Sequence, residues 1–338
     1  MTAAARDAVT HGQALWANPS SPHAEGRAAR AALEEARRAI AAAYGWRADT
    51  LLTGGASESL AIALGRTTLP RRLMSAVEHD AVMRAGVDAG VVPVDAAGIV
   101  DTKALAAMVA DGPALVCVQW ANSETGVRQP IAAIAEVVHR AGGRLLVDAA
   151  QMPASPELAG VADMIALSAH KRGGPAGIGA LLVRDLALLH PSGGQERGYR
   201  PGTENLPGAL GYAAALAEAE PDHGPLRAGL DDAILRSGGE IVAADSPRHP
   251  AIGSYRLRGS PAAAQLILLD SAGFAVSAGS ACSSGSMKPS HVLAAMGWED
   301  GAGREVIRVS FGRTTSEAEV DAFIAAWRQM ARTTRRAA

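Results

Sequence analysis

The chain has 338 residues, of which 48% are hydrophobic, so it can bury a large core and exceeds a typical single domain. Lysine and arginine (32) nearly balance aspartate and glutamate (34), and the formal net charge of -2 excludes a basic nucleic-acid-binding or membrane-surface footprint. Two cysteines, Cys117 and Cys282, are too few for a disulfide framework or a zinc cage. With neither a signal-peptide pattern nor an apolar run of about 18 residues, we expect a cytoplasmic protein without a metal site.

The first half of the chain alternates helical and strand patterns. An Ala-rich helix is predicted over residues 24–44 and ends at Gly45, and a second over residues 130–141 ends at Gly142. Short apolar runs bounded by Gly, Pro or Asp predict buried strands over residues 91–94, 114–119, 145–147, 164–167 and 178–183. This alternation indicates a mostly parallel sheet covered on both faces.

A domain boundary is predicted at the Pro- and Gly-containing stretch 220–225, which follows a helix over residues 206–218. The elements predicted beyond it are helices over 226–236, 262–269, 290–296 and 316–332, and strands over 240–243, 274–276 and 306–310. We therefore expect a large domain over residues 15–222 and a small α/β domain over 223–338. Residues 1–14 are assigned to the small domain.

Two residues at strand ends suggest a cofactor site. Lys171 directly follows a predicted strand and precedes a Gly/Pro-rich turn, and Asp148 ends the preceding strand. In open α/β sheets, ligands bind at the carboxyl ends of strands. Pyridoxal phosphate needs a lysine for covalent attachment and an acid against its pyridinium nitrogen. Taken alone, a solvated lysine and a helix-capping aspartate are the alternatives.

The segment Leu-Thr-Gly-Gly-Ala-Ser-Glu-Ser at residues 52–59 leads into an apolar helical stretch. Glycines, small hydroxyl residues and a helix start provide the backbone N–H groups and the dipole end that a phosphate requires. An ordinary turn has a similar composition. No lysine follows in the Walker-A register, so a nucleotide-binding P-loop is not expected.

These three elements, in this order, resemble the cysteine desulfurases of the NifS/IscS type, a branch of the class V aminotransferases. The resemblance covers most of the chain, through motifs at residues 18–23, 78–82, 122–126, 193–197, 200–205, 280–285 and 308–312. It implies the α/β fold of fold-type I pyridoxal-phosphate enzymes. That fold has a large domain around a mostly parallel, seven-stranded-type sheet and a smaller C-terminal α/β domain.

The resemblance also implies roles for individual residues. Lys171 carries the cofactor and takes a proton from the substrate, and Asp148 pairs with the pyridine nitrogen. The ring is contacted by Gln151 at its phenolic oxygen and by His79, which stacks on it and moves protons. The cofactor phosphate is held by Ala56, Ser57, Ser168 and His170, and by Thr203 of the partner subunit in a homodimer. Arg308 binds the substrate carboxylate, and Ser123 helps to hold cofactor and substrate.

Cys282 lies in a stretch of small polar residues and glycines, 277–286, which is typical of an exposed loop. A nucleophilic thiol needs such access together with a stabilised thiolate. The resemblance implies that Cys282 takes sulfur from L-cysteine as a persulfide, with release of L-alanine. A scaffold protein, a tRNA-thiolation enzyme or another carrier is the implied acceptor. Cys117 lies in an apolar run and is expected to be a buried thiol without chemistry.

Two features depart from the family pattern. The strand and the Asn-Ala-Thr-Thr-like loop that usually precede residues 18–19 have no counterpart, and Ser123 replaces an asparagine. A hydroxyl cannot supply the donor and the acceptor of an amide together, so activity is expected to be weaker or the substrate to differ. The alternatives are a selenocysteine lyase or another class V lyase or aminotransferase, and a catalytically impaired homologue that acts as a binding partner.

Overall fold

A computed structural model describes residues 1–279 and 289–337 of the chain. These residues form two compact units. The first unit contains residues 1–92, 102–120 and 130–219, and the second contains 93–101, 121–129 and the residues from 220 onward. The contiguous division predicted from the sequence therefore omits two short segments of the second unit. No helix in the described part of the chain is long and apolar enough to span a bilayer.

The first unit is built on a seven-stranded sheet in the order β1-β7-β6-β5-β4-β2-β3. Its strands are β1 (Asp49–Thr53), β2 (Arg71–Ser75), β3 (Gly90–Val92), β4 (Ala114–Gln119), β5 (Arg144–Asp148), β6 (Met164–Ser168) and β7 (Gly179–Val183). Only β7 runs antiparallel to its neighbours. Every residue of β4, β6 and β7 is buried, as expected for strands covered on both faces. The predicted seven-stranded sheet is confirmed.

Seven helices of the first unit accompany this sheet: α1 (Ala3–Ala14), α2 (Ala24–Ala43), α3 (Ala56–Arg66), α4 (Asp80–Ala85), α5 (Thr102–Val109), α6 (Ile131–Arg140) and α7 (Leu206–Leu216). The predicted ends of α2 and α6 are close to the observed ones. Gly45 and Gly142, just beyond them, have φ of 63° and 74°, a conformation that favours glycine.

The assignment of residues 1–14 to the small domain is wrong, because α1 packs along α7 in the first unit. Glycines allow this close approach. A Cβ on Gly12 would lie 2.7 Å from the Cα of Pro207, and one on Gly211 would lie 2.5 Å from a methyl carbon of Val9. The N–H of Thr2 also donates to the carbonyl of Gly173, at 2.8 Å.

The second unit contains a four-stranded antiparallel sheet in the order β10-β11-β9-β8. Its elements are α8 (Gly224–Arg236), β8 (Glu240–Ile241), β9 (Ile252–Arg256), α9 (Ala262–Ser271), β10 (Ser277–Ala278), α10 (His291–Ala295), α11 (Asp300–Gly303), β11 (Val306–Ser310) and α12 (Glu317–Ala337). The strand predicted over residues 274–276 is wrong, and β9 was not predicted. Gly253 weakens the local pattern of β9, but a Cβ there would lie 2.5 Å from Arg227 Nη1.

Candidate active site

The strand ends of the first unit bring the cofactor candidates to one edge of the sheet. Thr53 and Ser168, the last residues of β1 and β6, both pair with Gly179 on β7. Because β7 is antiparallel to both strands, β1 and β6 run in the same direction, and β5 is parallel to β6. The carboxyl ends of β1, β5 and β6 therefore lie along one edge. Asp148 is the last residue of β5 at that edge. Lys171 and the segment after β1 come shortly after the ends of β6 and β1 there.

Lys171 lies in a 3-10 turn, Ala169–Arg172, immediately after β6. The turn ends at Gly173, whose φ is 82°. Before the lysine, the Ser168 hydroxyl and His170 Nδ1 are 3.0 Å apart. After it, Arg172 donates to the carbonyl of Gln151 at 3.1 Å, which ties this turn to the segment following Asp148. The Lys171 side chain is exposed at the edge of the sheet.

Asp148 is buried, with 8% of its surface exposed, and it accepts a hydrogen bond from the Ala150 N–H at 2.9 Å. Burial raises the pKa of Asp148 above its ordinary value. The Ala150 N–H and the electrostatic effects of His79 and Lys171 act in the opposite direction on that pKa. The two candidate basic groups therefore lie close enough to stabilise the Asp148 anion.

His79 has a defined ring orientation because it caps α4. Its Nδ1 accepts a hydrogen bond from the Ala81 N–H at 3.0 Å, so the neutral ring carries its proton on Nε2. The second candidate histidine, His170, has its pKa lowered by burial and by the positive charge of Lys171. His170 is therefore neutral at physiological pH and offers a hydrogen bond rather than a charge.

The predicted phosphate segment forms the start of α3. Gly55 occupies the cap position with φ 144° and has no side chain to cap the helix. A Cβ on Gly179 would lie 2.6 Å from the Cα of Gly55, so glycine on β7 lets this loop lie against the sheet. Ala56 is buried and Ser57 is exposed. The arrangement leaves the first-turn N–H groups of α3 without a capping side chain, as anion binding requires.

Thr203 lies on an exposed loop of the first unit. Glu58 joins this loop to the phosphate segment, because its carboxylate accepts from Arg200 Nε at 2.9 Å and from the Gly54 N–H. Glu58 was not predicted as a site residue. An acidic residue in the first turn of a helix that follows a Gly-rich loop was the available signal.

Arg308 and Ser123, both in the second unit, are in direct contact. Arg308 Nη1 donates to the Ser123 carbonyl at 2.9 Å, and Nη2 donates to the Ser277 hydroxyl at 3.1 Å. Ser277 on β10 faces Arg308 on β11 in the strand register. The guanidinium is therefore oriented by two acceptors from separate parts of the chain. Ser277 was not predicted as a site residue, because its contact depends on strand pairing.

Glu124 is a second buried carboxylate that the sequence analysis left without a role. It is 8% exposed, accepts a hydrogen bond from the Ser290 hydroxyl, and its carbonyl accepts from Ser254 at 2.8 Å. Burial raises the pKa of Glu124, whereas the Ser290 hydrogen bond and the positive charges of His291 and Arg308 lower it. Its position directly after Ser123 in a family motif was the signal.

Of the two cysteines, only Cys117 lies within the described residues. Cys117 is fully buried on β4, and burial raises the pKa of its thiol well above the ordinary value, so it remains protonated. Cys282 and the rest of residues 280–288 lie outside the described residues. Within the described residues, β10 ends four residues before Cys282 in the sequence. β10 pairs with β11, the strand that carries Arg308.

Comparison with known proteins identifies the family. The aminotransferase class V family model matches residues 4–323. A cysteine desulfurase of Cereibacter sphaeroides is 40% identical, over 90% of this chain and 86% of its own length. An IscS-like cysteine desulfurase of Mycobacterium tuberculosis is 36% identical, with 95% and 91% covered. The X-ray structure of a NifS-like protein from Rickettsia africae superposes with a TM-score of 0.88 at 26% identity, over 98% of this chain and 96% of that one. The chain therefore belongs to the class V aminotransferases, in their cysteine desulfurase branch.

Proposed function

We propose that this protein is a pyridoxal-phosphate-dependent cysteine desulfurase, which converts L-cysteine to L-alanine and retains the sulfur as a persulfide on Cys282. The observation that carries the proposal is the shared sheet edge of Lys171, Asp148 and the start of α3. An amine, a buried carboxylate and an uncapped helix start fit the aldehyde, the ring nitrogen and the phosphate of that cofactor. The names of the relatives support the same reaction.

When bound, pyridoxal phosphate supplies an electron sink for the carbanion formed at the substrate α-carbon. Lys171 would hold it covalently and would take the α-proton, and Asp148 would keep the ring nitrogen protonated. Gln151 contacts the phenolic oxygen. The phosphate is held by Ala56, Ser57, Ser168 and His170, with Thr203 of the partner subunit.

His79 is the proposed proton carrier above the ring. Because Nδ1 accepts from the Ala81 N–H, Nε2 is the ring nitrogen that holds and delivers the proton. The electrostatic effect of His79 on Asp148 supports this role, because Asp148 is the proposed partner of the cofactor nitrogen. A singly protonated imidazole at this position could deliver its proton to the product carbon, which needs one when the carbon–sulfur bond breaks.

Arg308 is the proposed clamp for the substrate carboxylate, with Ser123 beside it. A guanidinium presents a planar fork of donors that matches a carboxylate. The contacts to the Ser123 carbonyl and the Ser277 hydroxyl fix the plane of that fork before the substrate binds. Substrate binding then costs less side-chain entropy than it would with a mobile arginine.

The sulfur transfer balances without an external oxidant. The Cys282 thiolate attacks the sulfur of L-cysteine, the carbon–sulfur bond breaks, and a sulfur–sulfur bond forms. The substrate carbon gains the electron pair and a proton to give alanine, and the transferred sulfur is oxidised to the persulfide level. A second protein then accepts this sulfur. We propose a scaffold or a tRNA-thiolation enzyme as acceptor, a homodimer as the working form, and the reducing cytoplasm as the compartment.

The test is Cys282→Ser, with Cys117→Ala as the matched control that removes the other cysteine. A serine hydroxyl is not ionised at neutral pH and cannot form a persulfide, so alanine release from L-cysteine with a reductant present should fall by orders of magnitude. The cofactor absorbance band should be retained. The control should release alanine near the wild-type rate, and mass spectrometry should place the extra sulfur on Cys282.

Three outcomes would redirect the assignment. Near wild-type alanine release by Cys282→Ser would show that the thiol is a bystander. Pyruvate and ammonia as products, in place of alanine, would indicate a β-eliminating lyase. Selenocysteine as the preferred substrate would indicate the selenocysteine lyase alternative.

A further inference from the structure

Glu78 is a buried carboxylic acid that the proposed reaction does not use. Its exposed fraction is 0%, and it immediately precedes His79. Taking an ionised carboxylate out of water costs several kcal/mol, as an order of magnitude, unless paired charges and hydrogen bonds compensate. A fully buried glutamate must therefore be either neutral or compensated by paired charges and hydrogen bonds.

Glu78 and Gln119 form a reciprocal clamp between the end of β2 and the end of β4. Glu78 Oε1 accepts hydrogen bonds from the Ser75 hydroxyl at 2.5 Å and from the Gln119 N–H at 2.9 Å. The side-chain amide of Gln119 donates in turn to the carbonyl of Val77. Two consecutive residues of the loop before His79 are thus attached to β4.

The same strand end supports Asp148. Gln119 faces Asp148 in the register of β4 and β5, and the Trp120 N–H donates to the Asp148 carbonyl at 2.8 Å. Glu78 therefore directly precedes His79 in the chain. It is also hydrogen-bonded to Gln119, the residue that faces Asp148. Its clamp sets the positions of both residues.

Electrostatics determine which of the two carboxyl groups ionises. Burial raises the pKa of Glu78, the hydrogen bonds from Ser75 and Gln119 act against this, and the nearby Asp148 adds to it; together they bring the pKa to about 8. Two acids that share a low-dielectric site divide into one neutral and one charged group. Asp148 lies near Lys171 and His79, whose electrostatic effects favour its anion. The proton is therefore held on Glu78 at neutral pH.

We propose that Glu78 is a positioning residue that acts as a neutral carboxylic acid, fixing the loop of His79 beside Asp148 without adding a second negative charge. This inference rests on the proposed function, because the cofactor nitrogen is what requires Asp148 as an anion. Among the described residues, the other titratable groups that interact with Glu78 or Asp148 are Cys117 on β4, His79 before α4 and Lys171 after β6. Cys117 contributes no charge, because its pKa is raised well above 9.0.

The first experiment compares the thermal unfolding of the full-length wild type and of Glu78→Gln across pH, without added cofactor. Glutamine retains the acceptor oxygen but cannot ionise. The folded pKa of Glu78, about 8, lies above its ordinary value of 4.5, so its bound proton stabilises the folded state most below pH 4.5. That contribution falls as the pH rises and is lost above pH 8. The unfolding temperature of Glu78→Gln should therefore rise relative to wild type from about pH 5 to about pH 8, then stay level.

The matched control is Glu136→Gln, the same change on the exposed face of α6, which should follow the wild-type pH course. If Glu78→Gln instead runs parallel to wild type between about pH 5 and about pH 8, the neutral-acid role is wrong. Equal destabilisation of Glu78→Gln and Glu78→Ala at every pH would also overturn it.

The second experiment measures the affinity for pyridoxal phosphate at neutral pH by absorbance titration. Glu78→Gln should bind within about twofold of wild type, whereas Glu78→Ala, which leaves the Gln119 N–H without its acceptor, should bind about tenfold more weakly. Rescue by glutamine but not by alanine separates a hydrogen-bonding clamp from a charge. If wild type itself does not bind the cofactor, the proposed function fails, and the unfolding comparison still decides the role of Glu78.

Discussion

Arg308 shows how single residues prepare this site. Its two terminal nitrogens are held by a main-chain carbonyl, that of Ser123, and by a side-chain hydroxyl, that of Ser277. The Ser123 contact is made by the backbone, so it does not depend on the side chain at that position. The serine that replaces the family asparagine therefore leaves this contact to Arg308 intact and changes only the polar side chain at position 123.

We predict that Ser123→Asn increases kcat/KM for L-cysteine by about tenfold or less. An amide restores a donor and an acceptor together, and one such hydrogen bond contributes about 0.5–1.5 kcal/mol. Steady-state alanine formation measures the change. Ser271→Asn, on an exposed residue at the end of α9, is the matched control and should have no effect. An unchanged or lower kcat/KM in Ser123→Asn would show that the site is adapted to serine.

At the scale of secondary structure, the placement of α1 depends on the absence of side chains. Gly12 on α1 faces the backbone of Pro207, and Gly211 on α7 faces Val9. In helix interiors, alanine is favoured over glycine by about 1 kcal/mol. A glycine retained at such a contact therefore indicates that packing outweighs helix propensity.

We predict that Gly12→Ala destabilises the protein by about 1–3 kcal/mol, because its Cβ would lie 2.7 Å from a backbone atom of Pro207 and the helices would have to separate. Gly229→Ala, the same change on the exposed face of α8 with open space around the Cβ, should stabilise it by up to about 1 kcal/mol. Chemical denaturation of both variants measures the two signs. A stabilising Gly12→Ala would show that the contact between α1 and α7 is loose.

At the scale of the whole molecule, the cofactor should act as a stabilising ligand. A ligand that binds only the folded state adds about 2.7 kcal/mol when its free concentration is a hundred times its Kd. Asp148 and the start of α3 remain in Lys171→Ala, so pyridoxal phosphate should still raise the unfolding temperature of this variant, but by less than in wild type.

The covalent link can be located because the sequence has three lysines, Lys103, Lys171 and Lys288. After borohydride reduction of the wild type, mass spectrometry should find the cofactor on the peptide that contains Lys171. Lys171→Ala should carry no reduced adduct, and the exposed-site control Lys103→Ala should carry it as wild type does. An adduct on another lysine would contradict the assignment.

The sequence by itself determined many elements and the positions of the candidate site residues at strand ends, since both are local properties. The buried strands β4 and β6 are continuous apolar runs, and α2 and α6 end at glycines with positive φ, so short windows were sufficient to predict them. Lys171 and Asp148 were identifiable because each directly follows or ends such a strand.

Tertiary structure alone decided which of these residues meet. Strand order brings Thr53, Ser168 and Asp148 to one edge, although more than a hundred residues separate the first two. The clamp between Glu78 and Gln119 and the pairing of Ser277 with Arg308 likewise join residues distant in sequence. The packing of α1 against α7 was also not predictable, because Gly12 and Gly211 meet residues that are distant in the sequence. Such contacts depend on the packing of whole elements, and no local pattern in the sequence encodes them.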